Sequence, residues 1–215
     1  MANYVSSDIV EKWLKAWSLS RELPLPVKFA SGFKVDVGYE KQKVRYVFPE
    51  LNDDFIGLSK CIDEPWIFLK VCASPDEVKR CISAKWIIQP QGFMMSCFHT
   101  MDFQDIDLPA GYTLEFEHYN STTLIKIVTK KGELASSGRV VLVDDLAVYD
   151  RIETAVNYRR KGLAICLMKE LEKIALSKGI SNNFLVATEE GKLLYEFLGW
   201  ELYSLYTSIV IPASS

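Results

Sequence analysis

The chain has 215 residues, 49% of them apolar and 25% charged, with a formal net charge of -3. That composition suits a globular protein able to bury a core, and it offers too little positive charge to hold nucleic acid or an anionic membrane by electrostatics alone. Five cysteines without C-x-x-C spacing argue against a zinc site or disulfide framework and fit buried free thiols in a cytoplasmic protein. The residues up to Glu11 lack the basic start and apolar run of a signal peptide. The longest uncharged run, 86–101, is broken at Gln89-Pro90-Gln91-Gly92 and is not expected to span a membrane.

From the amino terminus, Ser7 followed by Ile9, Val10, Trp13, Leu14 and Trp17 at helical spacing predicts a capped amphipathic helix that Pro24 and Pro26 stop. Residues 33–39 and 43–48 predict a hairpin about a polar turn, 51–62 a short helix, and 66–71 a buried strand. Ser74 as cap, Pro75 at the first helical position, and Asp76 and Glu77 in the first turn start a helix through about Ala84. Residues 86–88 and 93–97 read as strands around a turn at 90–92. An acidic, proline-containing link at 102–111 then separates an expected amino-terminal α/β lobe, 1–105, from a second domain, 106–215.

In that second domain, residues 112–118, 124–129 and 134–143 predict three antiparallel strands, with Lys131-Gly132 as the turn between the last two, and 146–154 a fourth, central strand. Residues 163–178 place Leu167, Leu171, Ile174 and Ala175 on one helical face and Lys169, Glu170, Glu172 and Lys173 on the other, with Gly179 ending the helix. A strand at 184–187, a helix at 189–198 closed by Gly199, and β-rich runs at 200–205 and 207–211 complete the chain.

Between the central strand and the long helix lies Tyr158-Arg159-Arg160-Lys161-Gly162-Leu163-Ala164. A turn opening a helix presents N–H groups without intrahelical partners at the positive end of the helix dipole. Gly162 and Ala164 let an anion approach the backbone, and Arg159, Arg160 and Lys161 add full charge, so the stretch reads as a pyrophosphate cradle. A solvated basic turn is the competing reading.

The spacing Arg-x-x-Gly-x-Ala in this cradle resembles the acyl-CoA signature of the GNAT superfamily of N-acetyltransferases. The approach from Ile152 through Arg159 is similar to that family's central strand and loop. The run from Ala187 to Trp200, containing Leu194-Tyr195-Glu196-Phe197-Leu198-Gly199-Trp200, is similar to its Leu-Tyr-x-x-Leu-Gly-Phe helix. The likeness covers about 107–212. It departs at Thr188, where the family often has Asn, at Ala164 for the cradle's last Gly, and at Val156 for a frequent Pro. It implies an α/β (α+β) fold with a mixed, mostly antiparallel central sheet flanked by helices. The implied reaction is acetyl transfer from acetyl-CoA (coenzyme A) to a primary amine of a small molecule or peptide, with no metal and with a homodimer left open. The cosubstrate would then lie on Ile152, Thr154, Arg159, Arg160, Lys161, Gly162, Leu163, Ala164 and Thr188.

Thr188, Gly191 and Tyr195 fall on one helical stripe, offset from a core stripe of Leu194, Phe197 and Leu198, and would line a cofactor channel. Tyr195 is accordingly the candidate proton donor for the departing thiolate, with aromatic packing against Trp200 or the sheet as the alternative. Glu153 and Asp150 are candidate bases. They face opposite sides of a regular strand unless a bulge intervenes, and salt bridges to Arg151 or Arg139 compete with that role. His99 and His118 read as structural or exposed. Asp102, Asp105, Asp107, Glu115 and Glu117 are a pocket for a cation or, on the plainer reading, a solvated face.

The first hundred residues are either a degenerate second GNAT-like unit or an acceptor-binding lobe. They show no Gly-rich helix entrance, and the helix at Ser74 opens on a proline and two acids, which repels phosphate. They are expected to dock through apolar surface and to bind no second CoA. A non-catalytic acyl-CoA-binding regulatory module is the alternative function.

Overall fold

A computed structural model of the chain describes residues 5–103 and 107–213; Asp105 and the expected boundary at 105/106 lie outside them. The amino-terminal half runs α1 (Ser7–Leu19), β1 (Val27–Phe29), β2 (Gly32–Tyr39), β3 (Gln42–Phe48), α2 (Asp53–Cys61), β4 (Ile67–Val71), α3 (Pro75–Cys81), β5 (Ile87–Ile88) and β6 (Gly92–Cys97). The carboxy-terminal half runs β7 (Tyr112–Tyr119), β8 (Thr122–Thr129), β9 (Leu134–Val143), β10 (Leu146–Thr154), a single 3-10 turn at Val156–Tyr158, α4 (Leu163–Ser177), β11 (Asn182–Ala187), α5 (Glu189–Phe197) and β12 (Glu201–Val210). The strands pair into one sheet in the order β1-β2-β3-β4-β12-β6-β11-β10-β9-β8-β7, with β5 beside β12.

Each half repeats one design. A hairpin, β2–β3 or β9–β10, is followed by a helix, α2 or α4, that carries the chain to a parallel neighbour, β4 or β11, and then by a second helix and a last strand. The last strands are exchanged. β6 pairs with β11 of the other half, while β12 spends 201–206 against β6 and 207–210 against β4. The halves are therefore joined by backbone hydrogen bonds in addition to the expected apolar contact. The two runs read separately at 200–205 and 207–211 are one ten-residue strand, and the division falls where β12 changes partner. The three-residue edge strand β1 went unseen because it is too short to show a period.

Three apolar clusters fill the layers. α4 and α5 cover one face of the carboxy-terminal sheet around Leu167, Leu171, Tyr149, Leu185 and Leu198. On the opposite face α1 lays Val10, Trp13, Leu14 and Trp17 over Val141, Val148, Phe184 and Val35, joining both halves. Each large side chain buried there contributes roughly 1.5–3 kcal/mol. α1 is capped by Ser6, one residue before the expected Ser7. The third cluster, Phe48, Phe55, Leu69, Val78 and Ile209, lies under α2 and α3. Cys61 is exposed and Cys81 half-buried, against the expectation of buried thiols that Cys72, Cys97 and Cys166 meet. No helix among the described residues is long and apolar enough to cross a membrane.

Candidate functional site

β10 and β11 pair only over Leu146–Val148 and Asn182–Phe184. Beyond that point β10 stays on β9 as far as Thr154↔Ser136, and β11 stays on β6 as far as Ala187↔Phe93. Each arm is held by its outer neighbour, so the two diverge and the inner edge of β10 loses its ladder partner. A bulge lies in that free stretch. The register slips between Asp150 and Glu153, and Arg151 takes φ 51°. A non-glycine residue there stores on the order of 1–3 kcal/mol and persists only where its surroundings fix it. One of those surroundings is Gly138 on β9: a Cβ at that position would come within 2.5 Å of Ile152 Cδ1 and 3.0 Å of Leu167 Cδ2.

The loop leaving β10 enters α4 through Gly162, the N-cap, at φ 76° with no side-chain cap. Among the described residues the other four α-helices are capped by Ser6, Asn52, Ser74 and Thr188, and each carries acid in its first turn. α4 has neither, so its first N–H groups stay free and its positive end is not neutralised. Arg160 precedes it at φ 61°, and Lys161 Nζ sits 5.1 Å from the Tyr158 ring centroid. Arg159 Nη1 bonds Glu190 Oε1 at 2.8 Å and its Nε donates to Thr154 O at 3.3 Å, tying the cradle to α5 and β10.

The gap between the strands and the entrance of α4 share one cavity of about 770 Å³. Of the positions expected to hold a cosubstrate, Ile152, Thr154, Arg159, Arg160, Gly162, Leu163, Ala164 and Thr188 line it, and Lys161 does not. Leu134 to Ser137 of β9 and Leu193 of α5 also line it. Sequence reasoning missed these because they reach the site only through strand pairing and helix packing, which leave no local motif.

Tyr195 and Glu153 line the cavity as well; Asp150 does not. Tyr195 is 7% exposed and lies 5.8 Å from Trp200, ring centre to ring centre, so the packing read as an alternative coexists with exposure to the cavity. Burial pushes its phenol pKa up, and the Asp150 carboxylate adds to the effect. Gly191 keeps the ring's neighbourhood open, since a Cβ there would sit 3.3 Å from Tyr195 Cε2. Thr188 is occupied as the cap of α5, accepting from Gly191 N at 3.2 Å. Phe197, assigned to the core stripe, is instead 50% exposed.

The bulge changes the geometry of the two carboxylates. Asp150 pairs with Arg139 and Glu153 with Ser137, two apart on β9, so the extra residue puts both acids on one face rather than opposite faces. Asp150 bonds neither Arg151 nor Arg139. Its oxygens take Arg21 Nη1 and Ser20 Oγ at 2.5 Å each and Arg21 Nη2 at 3.1 Å, fastening α1 to the sheet. Glu153 enters no ion pair among the described residues. His99 bonds the Thr100 carbonyl at 2.7 Å, and His118 meets Thr123 Oγ1 at 2.9 Å. Among the described residues no group of three or more His, Cys, Asp or Glu is placed to hold a metal.

A search of curated proteins finds no match to this sequence. The chain is similar in fold to a GCN5-related N-acetyltransferase from Kribbella flavida (TM-score 0.69, 13% identity, 98% of this chain and 96% of that one). It is also similar to a GNAT-family putative acetyltransferase from Novosphingobium aromaticivorans (0.59, 15%, 95% and 97%). A tandem GNAT protein from the clavulanic acid biosynthesis pathway aligns over 97% of this chain and 96% of its own, with TM-score 0.56 and 12% identity. The sequence model of the acetyltransferase (GNAT) family matches residues 93–200, just over half the chain, starting in the exchanged strand β6 and ending before β12. With that match spanning the diverging strands and the uncapped entrance of α4, the chain belongs to the acetyltransferase (GNAT) family.

Proposed function

We propose that the protein transfers an acetyl group from acetyl-CoA directly to a primary amine. The observation that carries this is the opening of an uncapped, unneutralised helix entrance into the same cavity as the unpaired edge of β10. A diphosphate at the cradle meets the free N–H groups of α4 and the guanidiniums of Arg159 and Arg160. Amides of a pantetheine arm pair with the backbone of Ile152 to Thr154, and an N–H of that strand polarises the thioester carbonyl. Ile152 and the α4 residues packed on it exclude water from that side.

The amine attacks the carbonyl carbon and the carbon–sulfur bond breaks. Tyr195 Oη, kept protonated by burial, gives its proton to the departing sulfur. Glu153, on the cavity and outside any ion pair, takes the proton the amine loses, directly or through water. Asp150, committed to Arg21 and Ser20, positions the bulged strand. In this reading the amino-terminal half is a second unit of the same design without an anion site.

Calorimetry with acetyl-CoA and thiol release across a panel of polyamines, aminoglycosides, amino acids and peptide amines test the proposal together. Micromolar-scale binding with thiol released by at least one amine is expected. Tight binding with no thiol released by any amine would identify a non-catalytic acyl-CoA-binding module instead.

A further inference from the structure

We infer that the cavity on the opposite face of the sheet binds an amine that carries an oxyanion, a carboxylate or a phosphate, and this rests on the transferase reading above. The cavity, about 650 Å³, lies beyond the carboxy-terminal end of α1 and takes walls from both halves: Ser20 to Glu22, Tyr39 of the β2–β3 hairpin, and strands β7 to β10. One row of paired positions, Glu117↔Leu124↔Arg139, lies in its lining and continues to Asp150 outside it. Arg139 therefore faces away from α4, whereas its neighbour Gly138 faces toward it.

The bulge lies between this cavity and the cradle cavity, which share no lining residue. Ile152 lines the cradle cavity and Arg151, one residue earlier at φ 51°, lines this one. A second strained residue, Glu22 at φ 54°, lines it too. Glu22 takes that conformation where α1 ends, with Leu23 N donating to Ser18 O at 3.0 Å, whereas Arg151 takes it inside the bulge of β10.

The charge balance selects the ligand. Arg21 is neutralised by Asp150, and Glu117 by Lys126. Among the described residues Arg139 Nε donates to the Tyr119 phenol, at 2.9 Å, and neither Arg139 nor Arg151 has a carboxylate partner. Behind them Arg45, 8% exposed, stacks 3.7 Å over the same Trp17 ring that Arg21 covers at 4.5 Å. Its Nε and one Nη face only the neutral amide of Gln42, at 3.0 Å. Of the arginines that line the cavity, Arg139 and Arg151 are thus left against Glu22, and Arg45 lies outside the lining. Guanidiniums recognise planar oxyanions bidentately, so Arg139 and Arg151 favour a ligand that carries one.

Ligand-observed NMR titration of the CoA-saturated protein with matched probes tests this: β-alanine against n-propylamine, and O-phosphoethanolamine against ethanolamine. The anionic member of at least one pair is expected to bind tenfold or more tighter, and which pair shows it tells carboxylate from phosphate. Arg139→Gln should weaken that member roughly ten- to hundredfold. Arg151→Gly, which removes the charge while relieving the left-handed strain, should act in the same direction without loss of fold. Arg139→Lys should recover part of the affinity. Equal binding of charged and neutral members, no binding by any probe, or a preference that survives both substitutions would overturn the inference. Thiol release separates it from the transferase reading. Oxyanion preference without turnover leaves the anion site standing and removes the transferase; turnover of neutral amines alone does the reverse.

Discussion

β3 and β4 of the amino-terminal half pair through five residues, 44–48 with 67–71, and leave no gap, whereas the corresponding β10 and β11 part after three. The helix that follows β3 is capped by the Asn52 side chain, which accepts from Phe55 N at 3.2 Å, and carries Asp53 and Asp54 in its first turn. The helix that follows β10 starts at a left-handed glycine with no cap and no acid, beside Arg159 and Arg160. The same chain path thus yields a closed, self-satisfied helix entrance in one half and an open, cation-rimmed one in the other. A helix end satisfied by its own side chain is spent on stability; one left unsatisfied is available to a ligand.

The largest expected break of this contrast is at Gly162. Gly162→Val should lower acetyl-CoA affinity at least roughly a hundredfold by calorimetry, through a side chain at the anion position. Because valine is also strained at φ 76°, Gly162→Asn, which the left-handed region tolerates, separates obstruction from strain and should lose affinity while keeping the fold. Next comes Tyr195→Phe. It should leave CoA affinity nearly unchanged, since the ring remains, and lower turnover roughly ten- to a thousandfold. Full turnover in that variant would mean that the tyrosine only packs on Trp200.

In the other half the expected effects are on stability alone. Asn52→Ala should cost about 1 kcal/mol in denaturant unfolding and leave CoA binding untouched, because that cap holds only its own helix. The smallest change concerns the junction between the halves, where Glu172 on α4 accepts from Met101 N at 2.7 Å. Burial pushes the Glu172 pKa up against the opposing pull of that bond. An acid raised in the native state binds its proton longer there than in the unfolded chain. Stability should therefore fall as pH rises from the ordinary glutamate value through the raised one. Glu172→Gln, which keeps an acceptor oxygen, should flatten that part of the pH profile in thermal melts.

Most of the lining of the carboxy-terminal cavity was legible because its signals are local. Gly162, the basic run and the stripe of Thr188, Gly191 and Tyr195 sit at fixed spacings on one loop and one helix. The bulge was foreseen only as a condition, because a single extra residue in β10 shows itself only against β9. The partner of Asp150 is Arg21, well over a hundred residues away, so neighbouring Arg151 and Arg139 were natural but wrong candidates. The strand exchange was not legible at all: β6 and β12 read as ordinary strands, and their placement in the opposite half is decided by packing of the whole sheet. The amino-terminal half was opaque for the same reason that it lacks a cradle. Its helix entrances follow common capping rules and carry no residue that a structural role leaves unexplained.

The claim that one half alone kept an anion site is tested most directly by the stoichiometry of acetyl-CoA binding to the full chain. Calorimetric titration should give one equivalent per chain, and the same titration of Gly162→Asn should give none at that affinity. Two equivalents, or one equivalent that persists in the folded Gly162→Asn protein, would contradict the account.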